Sequence, residues 1–230
     1  MRKNKFRKLL LILSCIVYAI IFFAFSAKPA QAGSCASAAT GNWATAATWG
    51  IGCGTGGSAQ VPVAGDSVTI SNGHTVTYNV TTGVALSSVT VGQGTSGILT
   101  FGSNTTARTM NVTGTGGNFT IAAGGTVTGN ASSAANHVLN IAGNFTNNGG
   151  TFTSTNAGKI LTTFNGATTQ TISGTGVTFY ILTVNNASSI TTLGVNTTAT
   201  TLTLTTGTFD AATYLLTFTT FWEKQPRQPK

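Results

Sequence analysis

Asp66 and His74 lie in the stretch VPVAGDSVTISNGHTVTYN, residues 61–79, and Cys35 and Cys53 lie ahead of them. An Asp and a His this close could form an acid–base pair. That chemistry would need a nucleophile or a second carboxylate converging on the same point. Each residue also has a plainer role. Asp66 follows Gly65 just before an alternating run, where an Asp commonly bonds neighbouring amides in an Asx-turn. His74 follows Asn72-Gly73, a turn signal between the runs VTI and VTY. Turn chemistry on both sides favours the structural role.

The other routes to catalysis lack residues. Glycoside hydrolysis needs two carboxylates across the scissile bond, and the body holds Asp66 and Asp210, over a hundred residues apart. A calcium-assisted lyase needs several oxygen ligands, usually carboxylates. A serine triad would need an acid and His74 or His137 beside a particular Ser, and no nucleophile-elbow motif appears. The reading is therefore no catalytic residue, no metal ligand and no cofactor.

Charge narrows the partners. The formal net charge is +8, but the first eight residues carry five positives and Lys28 a sixth, while the tail holds Lys224, Arg227 and Lys230 against Glu223. Between Gly33 and Phe221 only Arg108, Lys159, Asp66 and Asp210 are charged. Nucleic acid, which requires clustered cations to neutralise phosphates, is excluded as a partner.

The N-terminus reads as an export signal: basic residues, the apolar run LLLILSCIVYAIIFFAF (9–25), then Ala30-Gln31-Ala32 with cleavage before Gly33. The alternative is an uncleaved anchor, since 17 apolar residues just reach across a bilayer. Both export the body, and the membrane is a partner only through that segment if it stays uncleaved. Cys35 is not read as a lipidated cysteine, because Gln31 sits where an apolar residue is needed. In an exported chain, Cys35 and Cys53, 18 positions apart, are expected to pair. Closing that loop stabilises by about 3 kcal/mol in the chain-entropy model. Metal binding is the weaker alternative, with two Cys and no nearby His.

The body is built of Thr, Gly, Asn, Ala and Ser, interrupted by short alternating triplets such as VTI (68–70), VTV (89–91), LTF (99–101) and LNI (139–141). Alternation puts apolar residues on one face of a strand and Thr or Asn on the other. Phe101, Ile121 and Ile141 are 20 apart, as are Phe164, Val184 and Leu204; Ile70, Val91 and Val112 are 21 apart. A period near 20 with Gly/Asn corners predicts an all-β, right-handed parallel β-helix or solenoid. The alternative is a β-sandwich. The predicted organisation is a signal or anchor at 1–32, a disulfide-stapled cap at 33–60, the solenoid at 61–221 and a disordered tail at 222–230.

GNWATAATW (41–49) followed by VPVAGDSVTISNGHTVTY resembles the opening of many bacterial surface proteins. With GILTFGS (97–103) and NFTIAAGGTVTG (118–129) it also resembles the eight-glycine domain of secreted and membrane-tethered proteins. NFTNNGGTFTS, FNGATTQTISGTG, FYILTVNNAS and TLTLTTGTF are similar to the repeats of large adhesin-like exoproteins. The resemblance covers roughly residues 40–218. It implies a right-handed β-helix-like surface module without catalysis, and carbohydrate as a ligand class. Many of these relatives are far longer and finish in an anchoring domain.

The outward triplet positions predict one polar column of Thr69, Thr90, Thr100, Thr120, Thr183, Thr203 and Thr217, with Asn140 among them. The plain explanation is that Thr suits a solvated strand face. Locally, TLTLTT (201–206) resembles the Thr-x-Thr arrays of ice-binding solenoids, though the doublet is irregular elsewhere in the sequence. Trp43, Trp49, Tyr78 and Tyr180 are the rings that could stack on a sugar; the two Trp would otherwise cap the open end of the solenoid. The Asn-x-Ser/Thr triplets at Asn79, Asn104, Asn118, Asn144 and Asn196 follow from composition and mark glycosylation only in a host that performs it. The expectation is a secreted or cell-surface structural, adhesin-like module whose partners are extracellular glycans or other surface proteins. A carbohydrate-binding module is the second reading and a polysaccharide-cleaving β-helix the third.

Overall fold

The computed structural model describes residues 32–54, 60–102, 105–130, 134–154 and 158–223. The expected export signal, apart from Ala32, and residues 224–230 of the tail lie outside the described residues.

The alternating triplets become short strands laid down in a fixed rotation over three faces, A, B and C. The first coil gives β1 (Ser34–Ala36) to face A and β2 (Gly41–Asn42) to face B, followed by a single 3-10 turn (Ala46–Thr48). Then β3 (Ser67–Ile70), β4 (Thr75–Tyr78) and β5 (Thr82–Ala85) take faces A, B and C in turn. The rotation repeats with β6 (Ser88–Val91), β7 (Ile98–Phe101) and β8 (Thr109–Val112). It repeats again with β9 (Asn118–Ile121), β10 (Thr126–Gly129) and β11 (His137–Ile141). A further round is β12 (Phe145–Asn147), β13 (Thr151–Thr153) and β14 (Ile160–Phe164). After β15 (Gln170–Gly174), strands β16 (Val177–Leu193), β17 (Thr197–Asp210) and β18 (Leu216–Glu223) run unbroken across successive faces.

Strands of one face pair in parallel, coil upon coil. On face A, β3, β6, β9, β12 and β15 form one ladder. On face B the ladder is β2, β4, β7, β10 and β13. Because β16 and β17 cross from face C to face A, those two faces merge into a 13-stranded sheet, while face B keeps its own 5-stranded sheet. The fold is a parallel β-solenoid. The sandwich alternative, made of antiparallel sheets, does not describe it; among the described residues the one antiparallel contact is an isolated bridge between Ser37 and Trp49.

Inward positions stack into apolar columns. Val68, Val89, Phe119, Phe145 and Ile172 follow one another up face A, all buried. Phe119 and Phe145 stack nearly parallel with centroids 5.9 Å apart, and Phe145 meets Phe179 edge-on at 5.3 Å. Each such ring pair adds about 0.5–1.5 kcal/mol beyond its area burial. At the corners, side chains bond the backbone of the next coil. Asn118 Oδ1 accepts from Asn144 N, and Asn144 Oδ1 accepts from Thr171 N, each at 2.8 Å. Gly73, with φ +78°, turns the chain from face A to face B. Asn72-Gly73 is therefore a corner between two sheets and not a hairpin, since β3 and β4 belong to different ladders.

The coil length departs from the sequence expectation. Phe164, Val184 and Leu204 do stack, as do Ile70 and Val91. Phe101, Ile121 and Ile141 do not: they end β7, β9 and β11, one on each face. Above Val91 sits Ile121, not Val112. Strands on all three faces, β7, β9 and β11 among them, end in an apolar residue, so strands on different faces imitated a coil period. Early coils carry longer corners; from β14 onward the corners shorten and the 20-residue spacing becomes real. The ends shift as well. β1 and β2 already pair with β3 and β4, so the expected cap forms the first coil, and β18 extends through Glu223, two residues past the expected end.

The predicted single polar column is three columns. Thr69, Thr90 and Thr120 share face A with Thr146 and Ser173. Thr100 lies on face B between Thr77 and Thr128. Asn140, Thr183 and Thr203 lie on face C with Asn111 and Thr163. Thr217 continues Thr198 and Thr178 on the later part of face B.

Candidate binding surfaces

The ionisable residues of the first coils are structural fasteners. Asp66 is fully buried where β3 begins. Its Oδ1 accepts from Gly33 N at 2.7 Å, and its Oδ2 from Gly54 N and Val63 N, both at 3.0 Å. Two of those amides, at Gly33 and Gly54, flank the loop closed by the Cys35–Cys53 disulfide, whose Cα atoms are 4.5 Å apart. Asp66 thus gathers three chain segments, more than the local Asx-turn expected of it. A carboxylate so occupied has no face for a substrate.

His74 sits beyond the other end of β3, and a four-residue strand separates the two groups by about 13 Å. Its Nδ1 lies 2.9 Å from Ser37 Oγ, which also accepts from Ser71 N at 2.8 Å. A Ser–His contact is one element of nucleophilic catalysis. Here Ser37 is buried, and Ser71 Oγ bonds Ser37 O at 2.9 Å, so the trio fastens the first coil to the second.

Asp210 caps Ala212 N at 2.8 Å at the far end of face A. Its backbone column runs down through Thr192 and Thr171 towards Ser67, the neighbour of Asp66. Six ladder steps of about 4.8 Å put the two carboxylates roughly 29 Å apart. Paired carboxylates in glycosidases stand about 5–9.5 Å apart.

His137 was not singled out as a site in the sequence, yet it is the most unusual side chain in the core. It starts β11 facing inward, wholly buried, with its ring 5.4 Å from Phe101. Its Nδ1 accepts from Arg108 N at 3.1 Å, which leaves the proton on Nε2, and Nε2 has no partner among the described residues. Burial first, and the Arg108 charge second, hold its pKa below the ordinary histidine value. Only an inward-facing parity in the run HVLNI could have signalled this position.

Three of the four candidate stacking rings are not available to a ligand. Trp43, Trp49 and Tyr78 are 4 %, 1 % and 1 % exposed. They form an edge-on series with Trp43–Trp49 centroids 4.8 Å apart and Trp43–Tyr78 5.0 Å apart, which continues into Phe101. Trp49 Nε1 donates to Trp43 O and Tyr78 Oη to Thr109 O, so their polar tips are also spent. Burial raises the Tyr78 hydroxyl pKa far above the ordinary value. The inward parity of the first two coils takes these rings into the core. A cleft of about 190 Å³ beside Trp43, Pro62, Tyr78 and Val84 is small against the roughly 300–1,000 Å³ of ligand pockets.

Tyr180 is the ring that remains partly exposed. It lies at the corner between faces B and C, with Lys159 Nζ 5.1 Å from its centroid. Arg108, the other cation of the body, precedes β8 at the same corner and donates to Gly102 O and Thr81 Oγ1, both at 3.0 Å. Beside this corner, outward-facing Val138, Leu161 and Ile181 make an aliphatic column on face C.

Among the described residues, no helix is long and apolar enough to cross a membrane, and no three His, Cys, Asp or Glu gather as metal ligands. The disulfide is compatible with an extracellular protein. Comparisons with protein-family models, with curated proteins and with solved structures find nothing that matches this chain.

Proposed function

We propose that the chain is an exported, non-enzymatic structural module of the bacterial surface, adhesin-like, in which the solenoid is a stiff, nearly uncharged rod presenting polar faces. The observation that carries this reading is the fate of the body's carboxylates. One is consumed by three backbone amides, and the other stands roughly 29 Å away on an exposed corner. The functional surface is then outward-facing side chains, and recognition works by short-range hydrogen bonds and packing, since so little charge gives no long-range steering. The parallel ladders and buried aromatic columns supply stiffness along the coil stack. The experiment is a whole-cell adhesion assay with bead-coupled full-length oxidised protein, run beside a depolymerisation assay on surface polysaccharides. Saturable adhesion without new sugar ends supports the reading; turnover of a polysaccharide overturns it.

A second reading is a carbohydrate-binding module. It draws on Tyr180, Lys159 and the aliphatic column of Leu161 and Ile181, a surface able to take the apolar face of a sugar ring. Saturable binding on a glycan array that is lost in Tyr180→Ala would favour it over the rod.

A further inference from the structure

Face B differs from the other two faces in a way no single strand reveals. Its outward positions read Thr-Val-Thr in β4, Ile-Leu-Thr in β7, Thr-Val-Thr in β10 and Thr-Phe-Thr in β13, with the middle residue of each buried. The register carries no shift, so two adjacent columns rise in step with Ile98 as the one interruption. The surface continues past β13. Ser154 Oγ donates to Thr178 O and accepts from Tyr180 N, joining β13 to the start of β16, above which Thr198 and Thr217 follow in register.

The hydroxyls of this face are uncommitted. Among the described residues, those of β4, β7, β10 and β13 make a single intramolecular bond, from Thr128 to Gly129 O at 2.9 Å. On face C, by contrast, Asn140 donates to Asn111 and the neighbouring column is aliphatic; on face A, one column holds Asn118 and Asn144, whose side-chain oxygens are taken by backbone amides of the next coil. No ionisable group faces outward from β4, β7, β10 or β13; the tyrosine that closes β4 points inward.

The lattice dimensions follow from strand geometry. Rungs repeat every 4.7–4.9 Å or so, and alternate residues along a parallel strand every 6.6 Å or so. A tetrahedral water network with O–H···O bonds of about 2.75 Å has next-nearest oxygens about 4.5 Å apart and an axial repeat of about 7.3 Å. The mismatch is about 0.3 Å per rung and under about 1 Å along the strand, so about 1 Å accumulates over the four rungs. Threonine rotamers can absorb that. Each residue offers a hydroxyl to join the network and a methyl to back it, and no strongly hydrated charge breaks the order. A crystalline polysaccharide matches less well, because it would call for several stacking rings and β4, β7, β10 and β13 present no outward aromatic ring.

We propose that face B is an ice-binding surface, holding a layer of ordered water that merges with the crystal lattice. The inference does not rest on the adhesin-like reading: a chain that adheres to no cell can still bind ice. The test uses fluorescently labelled, oxidised full-length protein on a single growing ice crystal, with thermal hysteresis measured in parallel. Wild type is expected to label defined ice planes. Thr126→Tyr, in the middle of the array, is expected to lose that labelling, and Thr163→Tyr on face C to keep it, with circular dichroism and melting unchanged. Thr126→Gln serves as a smaller outward change if the Tyr variant does not fold. Absence of labelling by wild type, or equal loss in the face B and face C variants, overturns the proposal. So does binding to microcrystalline cellulose without binding to ice.

Discussion

Replacing Asp66 with Asn isolates the charge that ties the first coil to the second. The carboxylate offers Oδ1 to Gly33 N and Oδ2 to Gly54 N and Val63 N. An Asn side chain has one acceptor oxygen, so its best orientation keeps Gly54 and Val63 and turns an NH2 towards Gly33 N. One charge-assisted bond, worth about 1.5–3 kcal/mol, becomes a donor–donor contact, and two others lose the ionic part of their strength. The expected cost is about 2–4 kcal/mol, a large share of the roughly 5–15 kcal/mol that holds an ordinary domain folded. Urea unfolding of the oxidised chain, followed by far-UV circular dichroism, measures the total. Amide exchange at Gly54 and Val63 reports whether the loss is local. Asp210→Asn is the control: its exposed carboxylate caps one amide, and the change should stay within about 0.5 kcal/mol. An Asp66→Asn protein as stable as wild type, with unaltered protection at those amides, would refute the fastening role.

A chain made to begin at Gly33 would bring its α-ammonium 2.7 Å from Asp66 Oδ1, and it is expected to outlast the same chain carrying an acetylated Gly33 in thermal melts at neutral pH. Cys35→Ser with Cys53→Ser opens an 18-residue loop and should cost about 3 kcal/mol, with the difference from wild type vanishing in reductant. His137 is neutral in the fold, with its pKa below the unfolded value near 6.5, so it takes up a proton more readily when unfolded. Stability is then present above about pH 6.5 and lost as pH falls through the folded pKa; His137→Leu should flatten that dependence in urea titrations between about pH 7.5 and 5.

The triplets with their parity announce the strands: Val68 and Ile70 face in while Thr69 faces out, as alternation demands. Stacking was legible only where corners are short. Phe164, Val184 and Leu204 are true neighbours, whereas Phe101, Ile121 and Ile141 occupy three faces, because spacing along the chain does not distinguish the next strand from the next coil. The disulfide was legible from two cysteines 18 positions apart and the expectation of export. The burial of Trp43, Trp49 and Tyr78 was not, since an aromatic ring reads the same whether it stacks on a sugar or on Phe101. Asp66 was legible as a structural residue, but its partners at Gly33 and Gly54 lie in loops brought to it by pairing of β1 with β3. The two-column array on face B was hidden for a related reason: its rungs are separated by the strands of two other faces.

The most direct measurement asks whether function resides on an outward face. Three full-length variants, each with one bulky residue in the middle of a face, serve this purpose: Thr90→Tyr on face A, Thr126→Tyr on face B and Thr183→Tyr on face C. Each is compared with wild type in the bead-coupled cell-adhesion assay, with circular dichroism to confirm the fold. A rod that acts through its surface predicts that one substitution abolishes adhesion while the other two leave it intact. Undiminished adhesion in all three, or release of sugar from a surface polysaccharide by any of them, would contradict it.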